Sequence, residues 1–588
     1  MPEQGKEISL DDSSYEEIYE RAMERLRLQA PWWTHTEVSD PGIMLLEMWA
    51  ILSDMQSFYI DQIQESHYRK YLKLLGICPD EGEAARTWIF FDNVEEDCIV
   101  PEGTKLLSDR MVFETEEEQR LTKNCLTGFY LADGINRMDT MRLFRKSRFE
   151  LQEGGEELFS FALQEPLLPG REFSFFVLLD EKEARNAAGA DFFMAKLAWE
   201  YRTEGGWREA QVVKDESRGL LFSGIVCLKT AHAMAAGEAG YEIRCRIREG
   251  AYDIMPVLYK ICLNQVRAVQ KNTLCREEEF IFTRDCHKGE LKSYLARTGR
   301  LRILKELTEQ AEGEEADGAL WEDISESPEV FVEPPITAEH KERVVFFSGE
   351  GHVKVVCSVA GSAPEDFVRD VTGIAAQELL LPRTTLVRSS VQLMIKQEKA
   401  GRALYRACRQ TEPEEHRYEN AWHWKEEETT IVLGDGRHGE IPAAAEDGLC
   451  ITSLVLCEGK KGNVPVGGIT HWERPELFPH ITCTNRLPGR GGRERMRPSR
   501  QFEEAGKELL RQNRMVTAED SGKLAAEIPG LLIEKAAAEW RDGMLVVTIF
   551  PKQRIKNPYC RKRYQALAEE YLEQYRLAGT GLRIEIQN

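Results

Sequence analysis

Residues 40–76 read DPGIMLLEMWAILSDMQSFYIDQIQESHYRKYLKLLG. Leu45, Met48, Leu52, Met55 and Tyr59 recur at alternating spacings of three and four, the pattern of a helix that lays an apolar seam against other helices. Asp40 offers a carboxylate to the unpaired amides of a first turn. Pro41 suits the first helical position, where its missing N–H is not needed. Gly76 closes a second, shorter helix in the left-handed conformation that glycine reaches without strain. The carboxylates Glu47, Asp54 and Asp61 fall mainly off the seam, and nothing in the segment offers chemistry. The stretch predicts an assembly surface.

On the N-terminal side, Tyr15, Ile18, Tyr19, Ala22, Met23 and Leu26 form one face of an earlier helix that Pro31 ends. Trp32 and Trp33 fall in the connection and are expected to make a packed corner. From about residue 84 the period changes. TWIFFDNV, CIVPEGTKLL and MVFETEE read as short strands, with a turn at Pro101–Gly103.

These features, in this order, resemble the baseplate J-like, or baseplate wedge, family of contractile phage tails and related injection systems. In that family an Asp-Pro-Gly opens a Leu/Glu-rich helix and a Tyr/Leu/Gly close follows, here Tyr71, Leu72, Leu75 and Gly76. A small β unit comes next, which VPEGTKL and Phe113-Glu114-Thr115 resemble.

Composition bounds the alternatives. A chain of 588 residues is too long for one core and predicts several domains. No apolar run approaches the roughly 18–20 residues that cross a bilayer, and MPEQGKEISLDD lacks the layout of a secretory signal. Cytoplasmic assembly is therefore expected. A net charge of −23 argues against broad nucleic-acid binding, which needs a basic footprint. The fourteen cysteines contain no CxxC pair, so buried free thiols are expected rather than zinc or disulfides.

Residues 171–275 continue as strands. Tyr241, Ile243, Cys245 and Ile247 alternate with charged residues, as in a half-buried strand. The stretch from Tyr252 to Gln270 again resembles the family's middle region, and Asn264 is expected at a turn or strand end, bonded to its own backbone. Acid runs, glycine, serine and paired prolines mark 308–335 as a linker or loop, with Trp321 as its anchor. Residues 276–307 and 336–430 give only a mixed α/β reading.

After residue 430 the resemblance strengthens. Gly434, Asp435, Gly436, Gly439 and Pro442 precede a strand, and Gly462, Asn463 and Val464 follow it. The turn predicts a tight hairpin with Asp435 and Gly436 at positive φ and Gly439 allowing a second turn. A phosphate loop would need a following helix with Lys and Ser or Thr. A calcium loop would need several spaced oxygens where only Asp435 and Glu440 stand. His438 beside Asp435 suggests acid–base work, but no nucleophile is near in sequence.

Toward the C-terminus, Thr517 and Asp520 read as an N-cap pair after a helix at 502–512, and Pro529–Gly530 stops the capped helix. A hairpin turns at Asp542–Gly543. A helix with Tyr564, Leu567, Ala568, Tyr571, Leu572 and Tyr575 on one face feeds a strand carrying Leu582, Ile584 and Ile586. Before this unit lies NRLPGRGGRERMRPSR, in which Arg486, Arg490, Arg493, Arg495, Arg497 and Arg500 cluster in an acidic chain. One reading is a solvated mobile loop. The other is docking on an acidic neighbour through forked guanidinium–carboxylate contacts.

The fold class expected is α+β and multidomain: a helical bundle segment at 1–83, a small β unit at 84–170, a β-rich middle domain at 171–307, the linker at 308–335, a mixed β domain at 336–480 and a small α+β domain at 481–588. The resemblance implies a structural wedge subunit, not an enzyme. It would pair with a second wedge protein through its N-terminal helices, join copies of itself in a ring around the spike hub, and connect to sheath or tube-initiator proteins. Expected partner-binding residues are Leu45, Met48, Leu52, Met55, Tyr59, Arg490, Arg493 and Arg497, with no catalytic, cofactor or metal residue. The competing reading is a β-sandwich carbohydrate-binding protein or hydrolase. The eleven histidines offer no HExxH or Ser-His-Asp order, while the abundant acid pairs keep a glycosidase open.

Overall fold

The computed structural model describes residues 14–37, 39–61, 65–109, 111–133, 136–140, 148–152, 157–181, 185–186, 192–307, 319–338, 340–360, 367–381, 385–399, 402–411, 420–425, 429–509 and 513–587. They fall into two compact units. One takes the chain up to Glu81 together with Arg495–Leu510; the other takes Gly82–Glu494 and the chain from Arg511 onward. Among the described residues no helix is long and apolar enough to cross a membrane.

The first unit is helical: α1 (Tyr15–Gln29), α2 (Pro41–Asp61), α3 (Glu65–Leu74) and the helix Pro498–Leu509. Asp40 Oδ1 accepts the Gly42 N–H at 2.7 Å and the Ile43 N–H at 3.3 Å, so it caps α2 as the sequence predicts. Gly42 has a separate reason to be small, because a Cβ there would stand 2.0 Å from the Trp33 ring. The expected tryptophan corner is thus only half packed: Trp33 covers Gly42, while Trp32 is 77% exposed. At the end of α3 the Ile77 N–H reaches Leu72 O (2.9 Å) and the Gly76 N–H reaches Lys73 O (3.0 Å). Gly76 has φ 71°, the glycine stop that was expected.

Helix 498–509 does not belong with the C-terminal domain, as the 481–588 boundary had it. The Phe502 ring lies 5.6 Å from Tyr68 and 5.9 Å from Tyr71, and Ser499 donates to Glu65 through its amide (2.9 Å) and hydroxyl (2.7 Å). The aromatic face of α3 is covered by a segment more than 400 residues away.

The second unit is β-rich, and its sheets draw strands from distant segments rather than from contiguous blocks. One six-stranded sheet has the order His471–Trp472, Lys105–Ser108, Met111–Thr115, Gln265–Val269, Arg86–Asp92, Thr482–Asn485. Two further sheets, of five and six strands, face each other across one core, with Phe175 of the first 5.1 Å from Phe161 and 5.2 Å from Trp199 of the second. That core runs on into the C-terminal segment through Leu524, Ile528, Val547, Tyr564 and Ile584. There the capping box of Thr517 and Asp520 is present, the hairpin Ile533–Arg541/Met544–Pro551 turns at Asp542 and Gly543 with positive φ, and Gly581–Ile586 adds a parallel strand.

The regular structure of residues 276–307 and 336–430, expected as mixed α/β, is strand where described, apart from the short helix Tyr294–Thr298 and a 3-10 turn at Arg388–Ser390. Leu320–Asp323 pairs with Arg300–Leu307 on one side and with Arg402–Gln410 on the other. This closes seven strands into a barrel: 320–323, 300–307, 351–358, 272–282, 445–456, 392–399 and 402–410. Closure removes the open strand edges that an isolated sheet would leave. Of the linker expected at 308–335, residues 308–318 lie outside the described residues. The remainder supplies the closing strand and Val330–Val332. Trp321 does anchor it, as a core residue of the barrel that is 5% exposed.

Candidate assembly surface

The expected partner-binding seam is on the surface of the first unit. Leu45, Met48, Leu52, Met55 and Tyr59 are between 47% and 66% exposed. The apolar surface is also wider than the seam, because Met44, Trp49, Ile51 and Phe58 are exposed as well. At about 100° of rotation per residue, these nine side chains fan over roughly half the circumference of α2, with the seam at the centre. Among the described side chains of α2, only Ile43 and Ala50 are buried. A surface helix normally keeps apolar residues on its core-facing stripe and polar ones outside, and α2 reverses that rule.

The arginine-rich segment is not a mobile loop over 482–494. Thr482–Asn485 pairs with Ile89–Asp92, Arg490 exchanges backbone hydrogen bonds with Arg86 (2.9 and 3.0 Å), and Arg493 does so with Glu83 (3.0 Å both ways). Asn463 holds the turn between them, accepting the Gly492 N–H at 2.9 Å and donating to Gly492 O at 2.7 Å. This gives the Gly-Asn-Val element its physical purpose. The arginines then divide by role. Arg486 donates through Nη2 to both Asp92 oxygens (2.8 and 2.9 Å) and lies over the Phe90 ring, so it is an internal tie. The Arg493 side chain pairs with Glu83 at 3.2 Å. Arg490 and Arg497 are exposed, the first in the second unit and the second in the helical unit.

The Gly434–Gly439 turn is structural, though not the hairpin expected. Thr430–Leu433 pairs with Glu378–Leu380 and Ala421–Trp424, whereas Ala445–Leu456 pairs with other strands. Positive φ falls on Gly436 (89°) and Gly439 (131°), not on Asp435. Asp435 instead accepts from the Arg437 N–H (2.8 Å), the His438 N–H (2.7 Å) and His438 Nδ1 (2.9 Å). The His438 ring and amide, then the Arg437 amide, hold its carboxyl well below the ordinary range. The turn itself occupies the carboxylate. Asn264 also differs from expectation: it has φ 62°, and its amide bonds both N–H and O of Thr122 at 2.7 Å rather than its own backbone.

All fourteen cysteines are free thiols, most of them buried; burial pushes Cys483 up to about 12. Among the described residues no group of His, Cys, Asp and Glu is arranged to hold a metal. Two buried charged sites have no sequence signature. Arg185 grips Asp253 (2.5 and 2.8 Å), which also accepts from the Ile254 N–H (2.8 Å) and from the Tyr564 hydroxyl (2.5 Å), the latter joining the C-terminal segment to the sandwich. Lys105 and Glu114 face each other across paired strands at the foot of the barrel. Arg185 and Asp253 are 68 residues apart, Asp253 and Tyr564 are 311 apart, and Lys105 and Glu114 bond to Asn272 and Thr273, 167 and 159 residues on, so no local pattern could reveal these contacts.

The first unit thus presents a broad, solvent-exposed apolar helix face. Residues 14–70 match the family model described as bacteriophage baseplate protein, N-terminal domain, so over α1 and α2 and into α3 the chain is similar to bacteriophage baseplate proteins. No curated protein sequence matches the chain. Among solved structures it is similar to a chain of the type VI secretion system TssK-TssF-TssG baseplate subcomplex, at 9% identity and TM-score 0.34, covering 92% of this chain and 96% of that one. It is also similar to a chain of the anti-feeding prophage baseplate, at 8% identity and TM-score 0.30, covering 96% of this chain and 70% of that one. Likeness this remote leaves the argument with the family match and the geometry of α2.

Proposed function

We propose that this protein is a structural, non-catalytic wedge subunit of the baseplate of a contractile phage tail or injection particle. It pairs through α2 with a second wedge protein. Copies of the pair ring the spike hub and couple it to the sheath or tube initiator, and a trigger shifts the ring from a closed to an expanded state. Assembly takes place in the cytoplasm. The observation that carries the reading is the half-circumference of exposed apolar side chains on α2, inside the segment that matches the baseplate model. Burying such a face stabilises an obligate helix bundle at about 25 cal/mol per Å² of apolar surface. The exposed Arg490 and Arg497, each on its own unit, supply contacts to acidic neighbours.

The test is co-expression of the chain with each protein encoded beside it, followed by size-exclusion chromatography with light scattering. A defined hetero-complex is expected with one of them. Leu45→Glu/Leu52→Glu should abolish that complex while leaving the hairpin 533–551 protected from hydrogen exchange. A chain that is a monodisperse monomer alone and binds none of these proteins overturns the reading.

A further inference from the structure

We infer that residues 272–456 form an inserted module that hinges on the six-stranded sheet at its two chain crossings and is latched there by Lys105 and Glu114. The chain leaves strand Gln265–Val269, crosses in two residues, Gln270 and Lys271, and begins the barrel at Asn272. It returns from Ala445–Leu456 through Cys457 and Glu458. The two crossings touch: Gln270 Oε1 accepts the Glu458 N–H at 2.7 Å. Entry and exit at one point are what allow a body to turn as a whole.

The latch sits on the hairpin Lys105–Ser108/Met111–Thr115, where Lys105 and Glu114 are direct cross-strand partners. Lys105 Nζ donates to Asn272 Oδ1 (2.7 Å) and Thr273 O (3.1 Å). Glu114 accepts from Thr273 N–H (2.6 Å) and Oγ1 (2.7 Å), with Lys271 Nζ at 3.8 Å. Both side chains are sealed, at 3% and 1% exposure. They hold the first two residues of the module and nothing deeper. Burial pushes the Glu114 carboxyl up and the Lys105 ammonium down, each opposed in part by the other.

The rest of the junction is mainly polar. Arg276 pairs with Glu102 at 2.8 Å, Tyr294 N–H meets Glu102 O at 2.8 Å, Tyr294 hydroxyl meets Glu473 at 3.1 Å, and Arg297 reaches Glu118 at 3.5 Å. Among the described buried residues, Tyr294 and Ile336 are the module's apolar contribution to the sheet's core, while the module keeps two cores of its own. Polar junctions exchange their bonds for water at little net cost, so bodies joined this way move unless a specific device holds them. Lys105 and Glu114 are suited to that task, since their four hydrogen bonds to Asn272 and Thr273 are made only in the closed arrangement.

Native-state hydrogen exchange on the full chain tests the hinge. The reporter is the Tyr294 amide, which bonds to Glu102 O across the junction and touches neither latch residue. In the wild type it should exchange at least tenfold faster than Val355 in the barrel and Phe90 in the sheet. The double variant Lys105→Met/Glu114→Gln removes both charges and leaves neither unpaired. It should raise exchange at Tyr294 at least tenfold further, with Val355 and Phe90 unchanged. A Tyr294 amide that exchanges no faster than Val355 and Phe90 in the wild type, or that the double variant leaves unchanged, overturns the proposal.

Discussion

Asn463 holds Gly492 by both ends of its side-chain amide, across 29 residues of chain. Gly492 has to be glycine for the grip to form, since a Cβ there would stand 2.4 Å from Gly459 O. Asn463→Ala should therefore cost about 1–2 kcal/mol through two lost hydrogen bonds. Gly492→Ala should cost more, because backbone must move. Urea unfolding of both variants ranks them, and equal stability to wild type in both would sink the account of the Gly-Asn-Val element.

The Arg185–Asp253–Tyr564 cluster predicts acid sensitivity. Burial pushes the Asp253 carboxyl up, but the Arg185 guanidinium and the Tyr564 hydroxyl outweigh that and hold it below the ordinary range. As pH falls, the unfolded chain takes up the proton first. The stabilising contribution is complete above the unfolded value of about 3.9 and disappears as pH falls through the folded one. Asp253→Asn should cost about 3–5 kcal/mol at neutral pH, as for a broken buried pair. The gap to wild type should narrow by pH 3, which denaturant midpoints across that range will check.

Trp321 decides whether the barrel stays closed. Trp321→Ala removes a buried indole from the closing strand and should cost about 3–5 kcal/mol. Exchange should accelerate in 300–307 and 402–410, which it joins, while Phe175 and Trp199 in the sandwich stay protected. Uniform acceleration everywhere would refute a local closure.

Asp40→Ala removes the acceptor of two first-turn amides and should cost about 1 kcal/mol. The loss should be confined to the start of α2, measurable as faster exchange at Gly42 and Ile43 with Gly76 unaffected.

Local chemistry was legible in the sequence. Asp40–Pro41, Gly76, Thr517 with Asp520, and Asp542–Gly543 act within a few residues, and each sits where its side chain or φ preference places it. Long-range pairing was not. The strand around Trp321 lies in an acidic, proline-rich stretch and owes its order to barrel neighbours. Phe502 reads as part of a C-terminal helix until the aromatic face of α3 is seen to need it. The Gly434–Gly439 turn was misread because turn residues look the same whether or not the flanking strands pair. Of the proposed surface, the seam was visible at its centre and its flanks were missed, because Trp49, Ile51 and Phe58 fit a core-facing pattern as well as an exposed one.

The exposed half of α2 also constrains the living cell. A chain made in excess of whatever covers that helix presents a contiguous apolar patch, the kind of surface that drives aggregation. With α2 covered by a partner as proposed, mass action ties the folded, soluble population to the concentration of that partner. Supply of the two must therefore be matched in amount and in time, and dosage becomes as much a property of this helix as its sequence.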